Sequence, residues 1–132
     1  MFLLSPREIQ IQKYCQILVY WTLVFIYAFM IFHLSAQSHP LETMELLQKT
    51  NMDKILHIAE YAIFAFLIAK AISISFTRTS AVKMVLAVCV IGVLYAVSDE
   101  YHQSFVPCRN SDYFDTVADS VGIMLGAATM WL

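Results

Sequence analysis

Charge is scarce in this chain. Asp, Glu, Lys and Arg make up 14% of its 132 residues, against roughly 25% in soluble globular proteins. Hydrophobic residues make up 60%, where soluble domains hold roughly 45–50%, and the mean hydropathy is +0.67. A small domain hides only part of its surface, so an apolar excess of this size excludes an ordinary soluble domain. There is no basic stripe, the net charge is −2, and nucleic acid is not an expected partner. The three cysteines are scattered: Cys15 and Cys89 lie in apolar runs and Cys108 in a polar stretch. That pattern gives neither a disulfide framework nor zinc spacing. His-Glu-x-x-His, Glu-x-x-His and Gly-x-Ser-x-Gly are all missing, which removes the usual sequence marks of a zinc hydrolase, a carboxylate-bundle metal site and a serine hydrolase. No internal repeat or low-complexity segment divides the chain.

Long apolar runs are what the chain does have. Residues 14–34 carry no formal charge, and about 20 apolar residues cross a bilayer. This run is too long for a signal-peptide core, which is typically about 7–15 residues. Tyr14, Tyr20 and Trp21 are suited to anchoring it at the interface. Further spans are expected over about 55–76, 84–103 and 115–132. The reading is an all-α polytopic membrane protein, four transmembrane helices in one small bundle forming a single domain over 1–132. The uncharged parts of the third and fourth spans are short for a hydrocarbon core of about 30 Å. The polar residues at their ends are therefore expected to dip into the membrane, with bilayer thinning as the alternative. Leu41, Met44 and Leu47 recur every third residue after Pro40, a pattern that suits either a brief interfacial helix or a plain loop.

Lys and Arg counts set the expected orientation. Arg7, Lys13, Lys70, Arg78 and Lys83 fall on one side, and Lys49, Lys54 and Arg109 on the other. The excess favours both termini inside and the polar cluster on the extracytoplasmic side of the membrane.

That cluster gathers at the ends of the spans, and ionisable groups at membrane depth point by default to a functional site. Asp53-Lys54-x-x-His57-x-x-x-Tyr61 opens the second span. His57 and Tyr61 lie one turn apart on one face. Asp53 could accept the His57 N–H and fix its tautomer, or could simply favour the helix dipole as a cap. Glu60 is either a buried carboxylate or an interface residue. Ser98-Asp99-Glu100-Tyr101-His102-Gln103 closes the third span. Asp99 and Gln103 share a face. Asp99 and Glu100 diverge by about 100°, so only one of them points fully inward. His102 reads as a solvated loop residue. Pro107 ends regular helix. Arg109 follows it, and its guanidinium suits either a carboxylate or a phosphate. Asp115, Asp119, Gly122 and Gly126 form one stripe at i, i+4, i+7 and i+11. Glycines in that stripe allow close packing on a neighbour, which would carry Asp119 into the interior beside Arg109, Lys54 or His57. Asp112 reads as a turn residue. His57 with Asp99, Glu100, Asp115 or Asp119 supplies donors of the kind that suit zinc or manganese, but no spacing assigns a metal or any other cofactor.

Taken in order, Asp53-Lys54-x-x-His57-x-x-x-Tyr61, Asp99-Glu100-x-x-Gln103, Val106-Pro107-x-Arg109 and Asp115-x-x-x-Asp119-x-x-Gly122-x-x-x-Gly126 resemble the VanZ-like family of small membrane proteins. Ser35-Ala36-Gln37 resembles that family's Ser/Gln turn after the first span. Cys108 stands where the family commonly has Gly, and Asp119 where Asn is usual, which adds a carboxylate. The founding member is associated with low-level resistance to the glycopeptide teicoplanin. The resemblance therefore implies an envelope role near lipid-linked precursors, and it names a phenotype without naming a reaction.

Three readings follow. In the first, the protein binds or remodels an anionic lipid or a lipid-linked precursor, with Arg109 and Lys54 on the headgroup and Gln103, Tyr61 and Asp115 beside them. In the second, it is an intramembrane hydrolase or transferase with His57 as base. Asp53 or Asp99 would then orient that base, and Glu100 or Asp119 would serve as acid, nucleophile or metal ligand. In the third, the charges form a structural network. A homo-oligomer is compatible with all three.

Overall fold

The computed structural model describes residues 5–38, 52–107 and 113–131. These form four α-helices and no strand: α1 (Pro6–Ser35), α2 (Met52–Ser75), α3 (Ala81–Gln103) and α4 (Tyr113–Ala128), the last followed by a 3-10 turn, Thr129–Trp131. The segment read as an interfacial helix, 41–49, and the Arg109 turn with Cys108 and Asp112 lie outside the described residues.

α1 begins at a capping box. Ser5 Oγ accepts from the Glu8 N–H at 3.3 Å, and Glu8 Oε2 accepts from the Ser5 N–H at 2.7 Å. Pro6 supplies the first helical residue, where its missing N–H costs nothing. The helix thus starts about two turns before the apolar run at 14–34. Hydrophobicity marks the membrane-crossing part of a helix, whereas capping chemistry marks where the helix begins.

α2 is the hub of the fold and packs on each of the other three helices, most extensively on α4. It buries Tyr61, Phe64, Ala65, Ile68, Ala69 and Ile72 along one face. α1 runs antiparallel to it. Trp21 Nε1 donates to Ser75 Oγ at 3.1 Å at one end, and Ser35 sits near Tyr61 at the other, both on Asp99. The Tyr95 hydroxyl ties α3 to α1 by donating to the Ala28 carbonyl at 2.5 Å.

α4 runs parallel to α2, and the two backbones nearly touch. A methyl group on Gly122 would strike the Ile58 carbonyl and come within 3.0 Å of the Ala62 nitrogen. One on Gly126 would strike the Ala62 carbonyl and come within 2.7 Å of Ala65 Cβ. On the other side of α4, Ile123 fills the space over Gly92 of α3. Small residues let helices approach this closely, which is how packing is achieved where the surroundings are as apolar as the side chains.

The outside of the bundle is apolar. Leu18, Phe25 and Phe29 of α1, Leu94 of α3 and Met124 and Leu125 of α4 are all exposed. A water-soluble monomer rarely shows such a continuous apolar surface. α1, α2 and α3 are each long and apolar enough to cross a membrane. α4 has 16 residues and is about 24 Å long. It falls short of a hydrocarbon core of about 30 Å, so among the described residues three helices are long and apolar enough to cross a membrane where the sequence suggests four spans.

Because Gly126 meets main chain on α2, there is little room for relief. Gly126→Leu is expected to lower stability by about 1–3 kcal/mol or more, measured as thermal unfolding of the detergent-purified protein, whereas Leu125→Ala on the exposed face of α4 should leave the midpoint nearly unchanged.

Candidate functional site

The up-and-down course of the chain brings four helix ends together. The C-terminus of α1 brings Ser35, the N-terminus of α2 brings Asp53, Lys54, His57 and Tyr61, the C-terminus of α3 brings Asp99, Glu100 and Gln103, and the N-terminus of α4 brings Asp115 and Asp119. Polar residues separated by up to about 85 positions in the chain become neighbours at one end of the bundle, in two adjoining constellations.

The first centres on Asp99, which is buried. Ser35 Oγ donates to Asp99 Oδ1 at 2.6 Å, and Gln103 Nε2 donates to Oδ2 at 2.9 Å. The Tyr61 hydroxyl makes a longer contact with Oδ2 at 3.5 Å. Tyr61 is wholly buried and Gln103 is 2% exposed. The carboxylate thus ties α1, α2 and α3 together, with both oxygens engaged, as a buried charge requires. The helical spacing of Asp99 and Gln103 anticipates their bond. Ser35 is marked only by the resemblance of Ser35-Ala36-Gln37 to the family's Ser/Gln turn, and its link to Asp99 is supplied by the fold.

The second constellation joins α2 to α4. His57 Nδ1 lies 2.9 Å from Asp119 Oδ1, and Asp119 is only 1% exposed. With the carboxylate ionised, Nδ1 carries the proton and Nε2 is left on the opposite edge of the ring. Nε2 is 3.9 Å from Asp115 Oδ1, beyond a hydrogen bond. Lys54 forms a direct ion pair with the same oxygen and approaches Asp53 Oδ2 at 3.4 Å. The partner of His57 is therefore Asp119, one of the pairings the sequence allowed, and neither Asp53 nor Asp99, which the sequence offered to orient the ring. A residue one turn earlier on the same helix is only one neighbour of a side chain, and the glycine contact brings in a nearer one from α4.

Asp53 remains at the opening of α2, with Oδ1 buried and no hydrogen-bond partner among the described residues. Glu100 is half-buried, turned from Asp99 as the helical angle requires. Its Oε1 likewise lacks such a partner among the described residues, while it lies within electrostatic reach of His57, Asp115, Asp119 and Asp99. Glu60 is half-buried and interacts electrostatically with Tyr27, Tyr61 and Tyr95. His102 departs from expectation. It belongs to the last turn of α3, is half-buried, and stacks on Phe32 of α1 with ring centroids 4.3 Å apart. A ring that can lie flat on a neighbouring aromatic gains from leaving solvent. Among the described residues no three His, Cys, Asp or Glu side chains are placed to hold a metal ion.

Helices with apolar flanks and a charged, hydrogen-bonded interior at one end define a helical membrane protein. Within that class the chain belongs to the VanZ/LLP1 family, whose family model matches residues 2–132. No curated protein and no solved structure matches the chain.

Asp99 supports three donors, each of which would cost about 1–3 kcal/mol if left buried and unpaired. Asp99→Ala is expected to destabilise the bundle by at least that amount for one donor, and Asp99→Asn by less, since the amide oxygen still accepts. Equilibrium unfolding in mixed detergent micelles measures both.

Proposed function

We infer that this protein holds the headgroup of an anionic membrane lipid, or of a lipid-linked cell-envelope precursor, where α2 and α4 begin. The observation that carries this reading is the meeting of Lys54 and His57 with Asp115 and Asp119 at a bundle end whose flanks are apolar. Lys54 brings a cation. The N-termini of two parallel helices add a field that favours negative charge. Arg109, outside the described residues, is assigned to the headgroup from the sequence pattern alone, its guanidinium being of a geometry suited to phosphate, and Gln103 and Tyr61 stand at the same end of the bundle on Asp99. The apolar helix faces would accommodate acyl or polyprenyl chains. Membership of the VanZ/LLP1 family supports an envelope role. Glycopeptide resistance is associated with the founding member, and this reading does not require it.

The reading includes a topology. α4 continues into the turn Thr129–Trp131, which adds about 6 Å and brings the whole to about 30 Å. α4 then serves as a fourth span, with Asp115 and Asp119 dipping toward the core. The Lys and Arg bias favours both termini in the cytoplasm and the site outward, and the VanZ-like resemblance implies a bacterial inner membrane. Single cysteines introduced at Thr77 and Gln37, in a background without native cysteines, test this in intact cells. Gln37 should react with a membrane-impermeant maleimide and Thr77 should not; the reverse pattern would invert the topology.

A second reading has one specific observation in its favour. The bond between His57 and Asp119 fixes the imidazole as a general base requires, so the site could assist hydrolysis or transfer at a lipid phosphate or ester. Native mass spectrometry of the detergent-purified protein separates the readings. A phospholipid or polyprenyl phosphate should co-purify and be lost in Lys54→Gln and Arg109→Ala. Conversion of that lipid on incubation, abolished in His57→Ala with the lipid still bound, would establish an enzyme. Failure to retain any lipid, with the fold intact, would leave the cluster as a structural network.

A further inference from the structure

One carboxylate oxygen of the second constellation faces both Lys54 and His57. Asp115 Oδ1 pairs with the Lys54 ammonium, and the His57 imidazole presents Nε2 to it at 3.9 Å. Asp115 belongs to the first turn of α4, in the part of the helix dipole that favours an anion. It is 7% exposed, while the side chain of Lys54 retains 24%. The cation and the helix terminus that would receive an anionic headgroup are thus already facing a carboxylate of the chain itself.

We propose that Asp115 is a built-in competitor for the headgroup position, which a phosphate monoester can displace and a phosphodiester displaces poorly. This rests on the headgroup-binding reading above and adds a substrate class to it. The physical reason is charge. A monoester carries about −1.5 to −2 near neutral pH and three acceptor oxygens, whereas a diester carries a single charge, no more than the carboxylate it must replace. Displacement also leaves the Asp115 carboxylate near the bound anion, and like charges at contact distance repel. That repulsion, like the attraction of Lys54 and the helix N-termini, grows with the charge of the ligand, and the third terminal oxygen of a monoester gives it a further contact that a diester lacks. Asp119 is not part of the exchange. It stays on Nδ1 and keeps Nε2 turned toward the position being contested.

The test is a binding titration of the full chain in phosphatidylcholine nanodiscs. Short-chain phosphatidic acid serves as the monoester and short-chain phosphatidylglycerol as the diester. The wild-type protein should prefer phosphatidic acid. Asp115→Asn removes the charge and keeps the shape, and should tighten phosphatidylglycerol binding by about tenfold or more, narrowing the preference. Asp115→Ser, with a shorter neutral side chain, should move in the same direction, and unfolding midpoints of both variants establish that the bundle is intact. Equal or weaker phosphatidylglycerol binding in both folded variants would overturn the proposal. Adding Lys54→Gln to Asp115→Asn separates this failure from that of the underlying reading. If Lys54→Gln weakens binding but Asp115→Asn brings no gain, only the competitor role falls. If binding is indifferent to Lys54 as well, the headgroup site falls with it. Competition by inorganic phosphate at the same concentration as phosphatidic acid would keep the competitor role and assign it to a soluble phosphate.

Discussion

The close approach of α2 and α4 is the contact on which the rest of the molecule depends. Gly122 and Gly126 bring the main chain of α4 against the carbonyls of Ile58 and Ala62, and any side chain larger than hydrogen would push the helices apart. Asp119 lies one turn from Gly122 and Asp115 one turn further on, so the same stripe that packs the helices delivers two carboxylates to Lys54 and His57. Packing and site geometry are two consequences of one contact. The helices are parallel, so both begin at the site and both contribute the positive ends of their dipoles. In an antiparallel pair those ends would lie at opposite ends of the contact.

Asp99 provides the complementary restraint. It draws the end of α1, through Ser35, toward α2 and α3, through Tyr61 and Gln103. In an apolar surrounding such bonds have no water to compete for them, and a carboxylate stripped of its partners would be costly. The two constellations differ in character. Around Asp99 each oxygen is met by neutral donors, a saturated arrangement suited to holding helices in register. Around His57 and Lys54 the groups are charged and oriented, and one edge of the imidazole is not committed to a hydrogen bond with Asp115. Chemistry or exchange of partners belongs to the second arrangement.

Much of the organisation is legible from short-range patterns. The three long helices follow from apolar run length, and the stripe of Asp115, Asp119, Gly122 and Gly126 follows from helical periodicity, which needs no knowledge of other helices. Gln103 on Asp99 follows from the same rule. The partner of His57 follows only in part, as one of several pairings the sequence allows. Asp53 and Asp119 are both carboxylates that periodicity allows, and only the distance between α2 and α4 decides between them. The partner of Ser35 and the stacking of His102 on Phe32 are not legible for a related reason, because each depends on where α1 lies against α3. The start of α1 was readable from Ser5, Pro6 and Glu8, but hydropathy alone marks only the part of the helix that needs lipid.

By itself, then, the sequence determined a helical membrane protein of the VanZ/LLP1 kind with its polar residues collected at helix ends, because hydrophobicity and helical period act over a few residues at a time. The tertiary structure decided which of those residues are partners. It set His57 on Asp119, Lys54 on Asp115 and Ser35 on Asp99, because side-chain pairing across helices is fixed by the spacing and direction of backbones, and in this bundle two glycines of α4 bring the backbones of α2 and α4 into contact.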